Sequence, residues 1–120
     1  MVRTSRSRRE SEAEIYHVVS RGVGRQLIFE DDDDRQYYLD LLQREVGGHG
    51  GSILAWCLMG NHTHLLLKMG LADLSESMRL VNSAYALRFN KRHGRVGHLM
   101  QGRFKSEPVN TDEYLLTVIR

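Results

Sequence analysis

Two apolar runs, at 52–59 and 62–69, are separated only by Gly60 and Asn61. No other feature restricts the fold of this chain so tightly. A two-residue Gly-Asn connection suits a β-hairpin, whereas parallel strands need a crossover of a dozen or more residues. Ile53 and Trp56 on one side of the turn and Leu65 to Leu67 on the other read as strands of an antiparallel sheet. Side chains alternate along a strand, so His62 and His64 fall on one face and Thr63 on the other. Two imidazoles on one face of a rigid strand suit two ligands of a divalent ion. Two ligands do not make a site, and the same spacing also describes a strand edge where histidines meet solvent or ordinary hydrogen-bond partners.

The remaining periodicity supplies the other elements. The segment 15–20 reads as a β-rich strand that Arg21-Gly22-Val23-Gly24 ends. Asp31 to Asp34 then open a helix, since carboxylates favour a helix N-terminus; consecutive helical residues fan around the axis and cannot converge on one ion. Tyr37, Tyr38, Leu41, Leu42 and Val46 continue this helix, and Gly47-Gly48 stop it. A second helix is expected over about 73–93, with Leu74, Met78, Val81, Tyr85, Leu87 and Phe89 near helical spacing and Gly94 at its end. A last strand at 104–109 carries Pro108, which marks an edge, and Thr111 or Asp112 caps a final helix. The order β-α-β-β-α-β-α is an α+β fold: a ferredoxin-like split β-α-β pattern with an antiparallel sheet, plus a C-terminal helix. Residues 1–13 read as a disordered basic and acidic tail, and 14–120 as one domain.

Charge narrows the partners. The formal net charge is only +2, but the acids gather early and none occurs from Ser77 to Ser106. That stretch holds Arg79, Arg88, Lys91, Arg92, Arg95, Arg103 and Lys105. Fourteen of the 17 basic residues are arginine, which favours planar, bidentate recognition of phosphate over plain solubilising charge. Nucleic acid is the expected partner, against the plainer reading of a solvated face. No apolar run is long enough for a membrane span, and Arg3, Arg6, Arg8 and Arg9 precede no signal-type apolar region. Cys57 is alone and flanked by Trp56 and Leu58, so it reads as a packed strand cysteine in a reducing, cytoplasmic setting.

Three separated segments, 16–22 (Tyr-His-Val-Val-Ser-Arg-Gly), 57–66 (Cys-Leu-Met-Gly-Asn-His-Thr-His-Leu-Leu) and 101–106 (Gln-Gly-Arg-Phe-Lys-Ser), together resemble the single-tyrosine HUH transposases. The resemblance is closest to the REP-associated tyrosine transposase branch and runs from about residue 14 to the C-terminus. It implies a ferredoxin-like sheet with the histidine pair on a central strand. It also implies that His62 and His64 hold Mg²⁺ or Mn²⁺, polarising the scissile phosphate of single-stranded or hairpin DNA. A tyrosine on the terminal helix would attack, leaving a 5′-phosphotyrosine link and a free 3′-hydroxyl. The family often works as a dimer, so a homodimer is a possible assembly.

Two departures from the family pattern matter. Gly60 stands where proline is usual, a small change in a turn. The family's nucleophilic tyrosine matches the position just past Arg120, so Tyr114 is only a fallback nucleophile; its ordinary reading is an aromatic near a helix start, packed on the sheet. Arg103 and Lys105, with Arg21 and Arg25 after the first strand, are candidates for DNA backbone phosphates. Gln101 and Asn61 are candidates for orienting metal water or a base. Each of the six reads equally as exposed polarity. His17 is expected in the sheet environment and His49, His93 and His98 in loops, none of them a ligand.

Three readings remain open. One is a metal-dependent DNA nicking and rejoining enzyme. The second is a DNA-binding module with an incomplete active site. The third, a ferredoxin-like RNA-binding domain, is weakened by the lack of aromatic-rich strand motifs.

Overall fold

The computed structural model describes residues 14–109; the expected N-terminal tail and the expected terminal helix with Tyr114 lie outside them. Within this span β1 (Glu14–Arg21), α1 (Asp32–Gly48), β2 (Ser52–Leu58), β3 (His62–Met69), α2 (Leu71–His93) and β4 (Lys105–Pro108) follow one another. All pairings are antiparallel and the strand order is β2-β3-β1-β4. This is the expected ferredoxin-like arrangement: β1 and β3 are central, and each β-α-β half contributes one inner and one edge strand.

Local chemistry explains the boundaries. The Asp31 carboxylate accepts from the Asp34 amide at 3.0 Å and caps α1. Gly94 ends α2 in the left-handed region (φ 64°), where its amide bonds back to the carbonyl of Asn90. The β2–β3 turn is closed by the Met59 amide on the carbonyl of His62, at 2.9 Å. Pro108 sits on edge strand β4, where a missing amide does not interrupt the sheet.

Both helices cover one face of the sheet. There Tyr16 and Val18 of β1 and Leu65, Leu67 and Met69 of β3 meet Tyr38, Leu42 and Val46 of α1 and a stripe of α2. That stripe is Leu74, Met78, Val81, Tyr85 and Phe89. Leu87, expected among them, is 75% exposed, because two residues past Tyr85 is about 200° around the helix. The Tyr85 hydroxyl donates to the carbonyl of Ile28 and ties α2 to the loop that leads into α1.

Cys57 departs from its expected burial and is exposed. β2 is an edge strand, and Cys57 pairs with His64 on the face the helices leave uncovered. Its Sγ lies 3.5 Å from Sδ of Met59.

Candidate nucleic-acid and metal site

The burial of β3 alternates around the histidine pair: Thr63 and Leu65 are buried toward the helices, while His62 and His64 are half-buried on the opposite face. Their ring centroids are 4.9 Å apart with planes at 82°, so the two imidazoles are immediate neighbours, as the strand period requires.

Each ring has one nitrogen already engaged, and it is the same one. His62 Nδ1 lies 2.8 Å from Oδ1 of Asn61. The Asn61 amide nitrogen donates to the carbonyl of Arg25 at 3.5 Å, which turns the amide oxygen toward the ring. An amide oxygen only accepts, so His62 carries its proton on Nδ1 and keeps the Nε2 lone pair free. His64 Nδ1 lies 3.0 Å from Nε2 of His17 on β1. Metal-binding histidines characteristically commit the second nitrogen in this way. The chain thus presents two Nε2 atoms on one face, which fits a divalent cation held by two imidazoles. Among the described residues no group of three or more His, Cys, Asp or Glu converges on an ion, so further ligands would come from elsewhere.

Burial lowers the pKa of His64, and His62, His17 and Arg21 lower it further by their charge. Burial also lowers that of His17, opposed by Glu107, its neighbour on β4. Both rings are therefore biased toward the neutral form, the only form with a lone pair to give.

The residues expected around this pair largely gather there. Arg21 lies directly opposite His62 in the β1–β3 register and is exposed. The Gln101 amide bonds to the carbonyl of Arg21 at 2.7 Å, bringing the 101–106 segment to the same end of the sheet. Lys105 opens β4 opposite Val19, itself paired with His64, so Lys105 sits two strands from the histidine. Arg103 is exposed in the loop before it. Arg25 is exposed and left-handed (φ 64°), and its carbonyl holds Asn61. Such a conformation is strained for a residue with a side chain and recurs beside functional sites. The Asn61 side-chain oxygen is engaged by His62.

Gly22 joins these parts. Its amide bonds to the carbonyl of Asn61 at 2.9 Å, and a Cβ there would stand 2.2 Å from the carbonyl oxygen of Gln26. Only glycine lets the chain turn so tightly beside the hairpin.

Several cations of the acid-free stretch have partners within the fold. Arg92 is held by Asp31 and Asp34, and Arg79 by Glu76. Arg88 lies over the Tyr37 ring at 4.1 Å, and Arg95 bonds to Gln26 and to the carbonyl of His98. Helical spacing spreads Arg79, Arg88 and Arg92 around α2, and Arg95 follows its Gly94 cap. His93, expected in a loop, ends α2 and contacts Asp34.

A family model described as "Transposase IS200 like" matches residues 11–120. The chain belongs to the IS200-like transposase family. None of the curated proteins compared with it matches. Among solved structures, a REP-associated tyrosine transposase bound to a REP hairpin superposes with a TM-score of 0.68 at 18% identity, over 89% of this chain. The chain spans 63% of the length of that protein. A candidate transposase from Deinococcus radiodurans R1 superposes with a TM-score of 0.63 at 17% identity, over 88% of this chain and 85% of its own. At such identities the shared property is the fold. Among the described residues of this family member, no helix is long and apolar enough to cross a membrane.

The histidine His17 was not a candidate from sequence. Its signal is present in retrospect: it lies on a strand beside β3 with the parity that puts it on the histidine face, but strand pairing and register are tertiary information.

Proposed function

We propose that the chain is a DNA transposase domain that uses a divalent ion to cleave and rejoin single-stranded DNA, with hairpin DNA as its partner. The observation that carries this reading is a pair of neighbouring imidazoles, ring centroids 4.9 Å apart, with His62 Nδ1 engaged by Asn61 and His64 Nδ1 engaged by His17. His62 and His64 would hold Mg²⁺ or Mn²⁺. When bound, the ion supplies neutralisation of charge on the scissile phosphodiester. Both ions prefer oxygen ligands, so a site with two imidazoles binds weakly and exchangeably.

The chain's own groups then position DNA. Arg21, beside His62, and Lys105, two strands from His64, offer cations to backbone phosphates along the β1–β4 side of the pair. Arg25 and Arg103 extend the basic surface, and Gln101 lies at its border. The attacking group is a tyrosine hydroxyl: a phosphorus–oxygen bond forms to the phenol, and the bond to the 3′-oxygen breaks to release a 3′-hydroxyl. The REP hairpin held by a structurally similar transposase supports hairpin DNA as the partner.

The test combines two measurements on the purified chain. Mn²⁺ binding, followed by the loss of free-ion electron paramagnetic resonance signal, is expected to be abolished in His62→Ala and His64→Ala. Gel-shift binding of a single-stranded hairpin is expected to weaken in Arg21→Ala while Mn²⁺ binding stays. Unchanged Mn²⁺ binding in both histidine variants would overturn the metal assignment. Tight DNA binding with no metal dependence and no covalent adduct would favour a DNA-binding module instead.

A further inference from the structure

His17 and His64 meet in a particular geometry. The N···N separation is 3.0 Å, the ring centroids are 5.2 Å apart and the planes differ by 13°. Two ring radii added to the N···N line account for the centroid separation only if the two nitrogens lie on the line between centroids. The rings are therefore nearly coplanar and joined edge to edge, with one nitrogen's proton aimed along the other's lone pair. A shared metal ion is excluded here, because two imidazoles on one ion aim their lone pairs at a third point and not at each other. His17 is in reach because it is the diagonal neighbour of His64: Val19 pairs with His64 and His17 with Leu66, on the same sheet face.

One proton lies between these rings, and its assignment decides which nitrogen of His64 has a free lone pair. If His17 Nε2 donates, His64 Nδ1 is the acceptor and its proton sits on Nε2, the atom a metal would need. If His17 Nε2 accepts, His64 is protonated on Nδ1 and its Nε2 is free. The second arrangement matches that of His62, whose tautomer Asn61 fixes.

We infer that His17 is a positioning residue of this site: through its Nε2 it accepts a hydrogen bond from His64 Nδ1–H, which locks the tautomer and plane of His64 with Nε2 presented for a divalent cation. The inference rests on the metal reading above, and goes beyond it by assigning a role to a residue outside the His62–His64 pair. The Asn61–His62 and His17–His64 bonds are then equivalent devices, one drawn from the hairpin turn and one from the neighbouring strand. Glu107 faces His17 across the β1–β4 register.

The decisive experiment reads the metal-free protein. Long-range ¹H–¹⁵N correlation spectra of the full chain distinguish the two neutral tautomers of each histidine. The expected result is His64 protonated on Nδ1 in the parent, and shifted largely to Nε2 in His17→Phe, which keeps a flat ring but has no acceptor. Mn²⁺ affinity is expected to fall about 10- to 100-fold in His17→Phe. It should recover in part in His17→Gln, whose amide oxygen can accept the same hydrogen bond. A parent His64 protonated on Nε2 overturns the inference, as does a His17→Phe protein with unchanged tautomer and Mn²⁺ affinity. If His64→Ala also leaves Mn²⁺ affinity untouched, the metal reading fails separately, because the tautomer readout needs no metal.

Discussion

Arg92, one residue from the end of α2, reaches Asp34 in the first turn of α1 with 2.6 Å between Nη1 and Oδ1. The same guanidinium grips Asp31 at 2.7 Å, and His93 adds a contact to Asp34 at 2.9 Å. The two helices that cover the sheet are thus pinned together at one end. Asp34 is only 3% exposed. Burial alone would raise its pKa, but the Glu30 amide, Arg92 and His93 outweigh it and hold the carboxyl below its usual range. Arg92, followed by the Asp34 amide, lowers Asp31 to about 2. A carboxyl depressed in the folded state stabilises the fold fully above its unfolded pKa, about 4, and loses that contribution as pH falls through the folded value. Stability is therefore expected to drop between about pH 4 and pH 2. Thermal melts across this range check it, and Asp31→Asn with Asp34→Asn should flatten the slope while lowering stability at pH 7.

Gly22→Ala is expected to destabilise the domain by about 2–3 kcal/mol, since a methyl would stand 2.2 Å from the Gln26 carbonyl oxygen, a backbone atom that has no side-chain freedom to move aside. Urea unfolding of the variant measures this directly. The same change should weaken hairpin DNA binding, because Gly22 is bonded to Asn61 between Arg21 and the His62 turn.

Asn61→Ala removes the acceptor at His62 Nδ1. Mn²⁺ affinity is expected to fall roughly tenfold with little change in melting temperature, because Asn61 is half-buried in a turn. Isothermal titration of Mn²⁺ into parent and variant gives the comparison. Equal affinities would mean that His62 needs no orienting partner.

Tyr114→Phe tests which tyrosine attacks. The Val109 amide bonds to the carbonyl of Ile15, and Ile15 pairs with Lys68, so Val109 lies level with a position four residues along β3 from His64. That is roughly 13 Å at strand rise. Because the family resemblance matches the attacking tyrosine to a position other than Tyr114, any covalent adduct the chain forms with labelled single-stranded hairpin DNA and Mn²⁺ is expected to survive Tyr114→Phe and to disappear in His64→Ala, read on a denaturing gel. Loss in Tyr114→Phe would make Tyr114 the nucleophile.

Sequence carried the local decisions. The Gly60-Asn61 turn fixed an antiparallel hairpin, because two residues cannot connect parallel strands. The alternation of β3 placed His62 and His64 on one face, and Asp31 capped α1, all through interactions spanning a few residues. Motif order pointed to the family, and the element order to the sheet. Tertiary structure decided what those elements meet. Cys57 is exposed because β2 became an edge strand, and Leu87 because α2 buries a different stripe. Arg79, Arg88, Arg92 and Arg95 of the acid-free run found partners within the fold. His17 reached His64 only through the β1–β3 register, across 47 positions of sequence. Periodicity reports which way a side chain faces along its own element; which distant side chain it faces depends on strand order and register, which only the packed sheet sets.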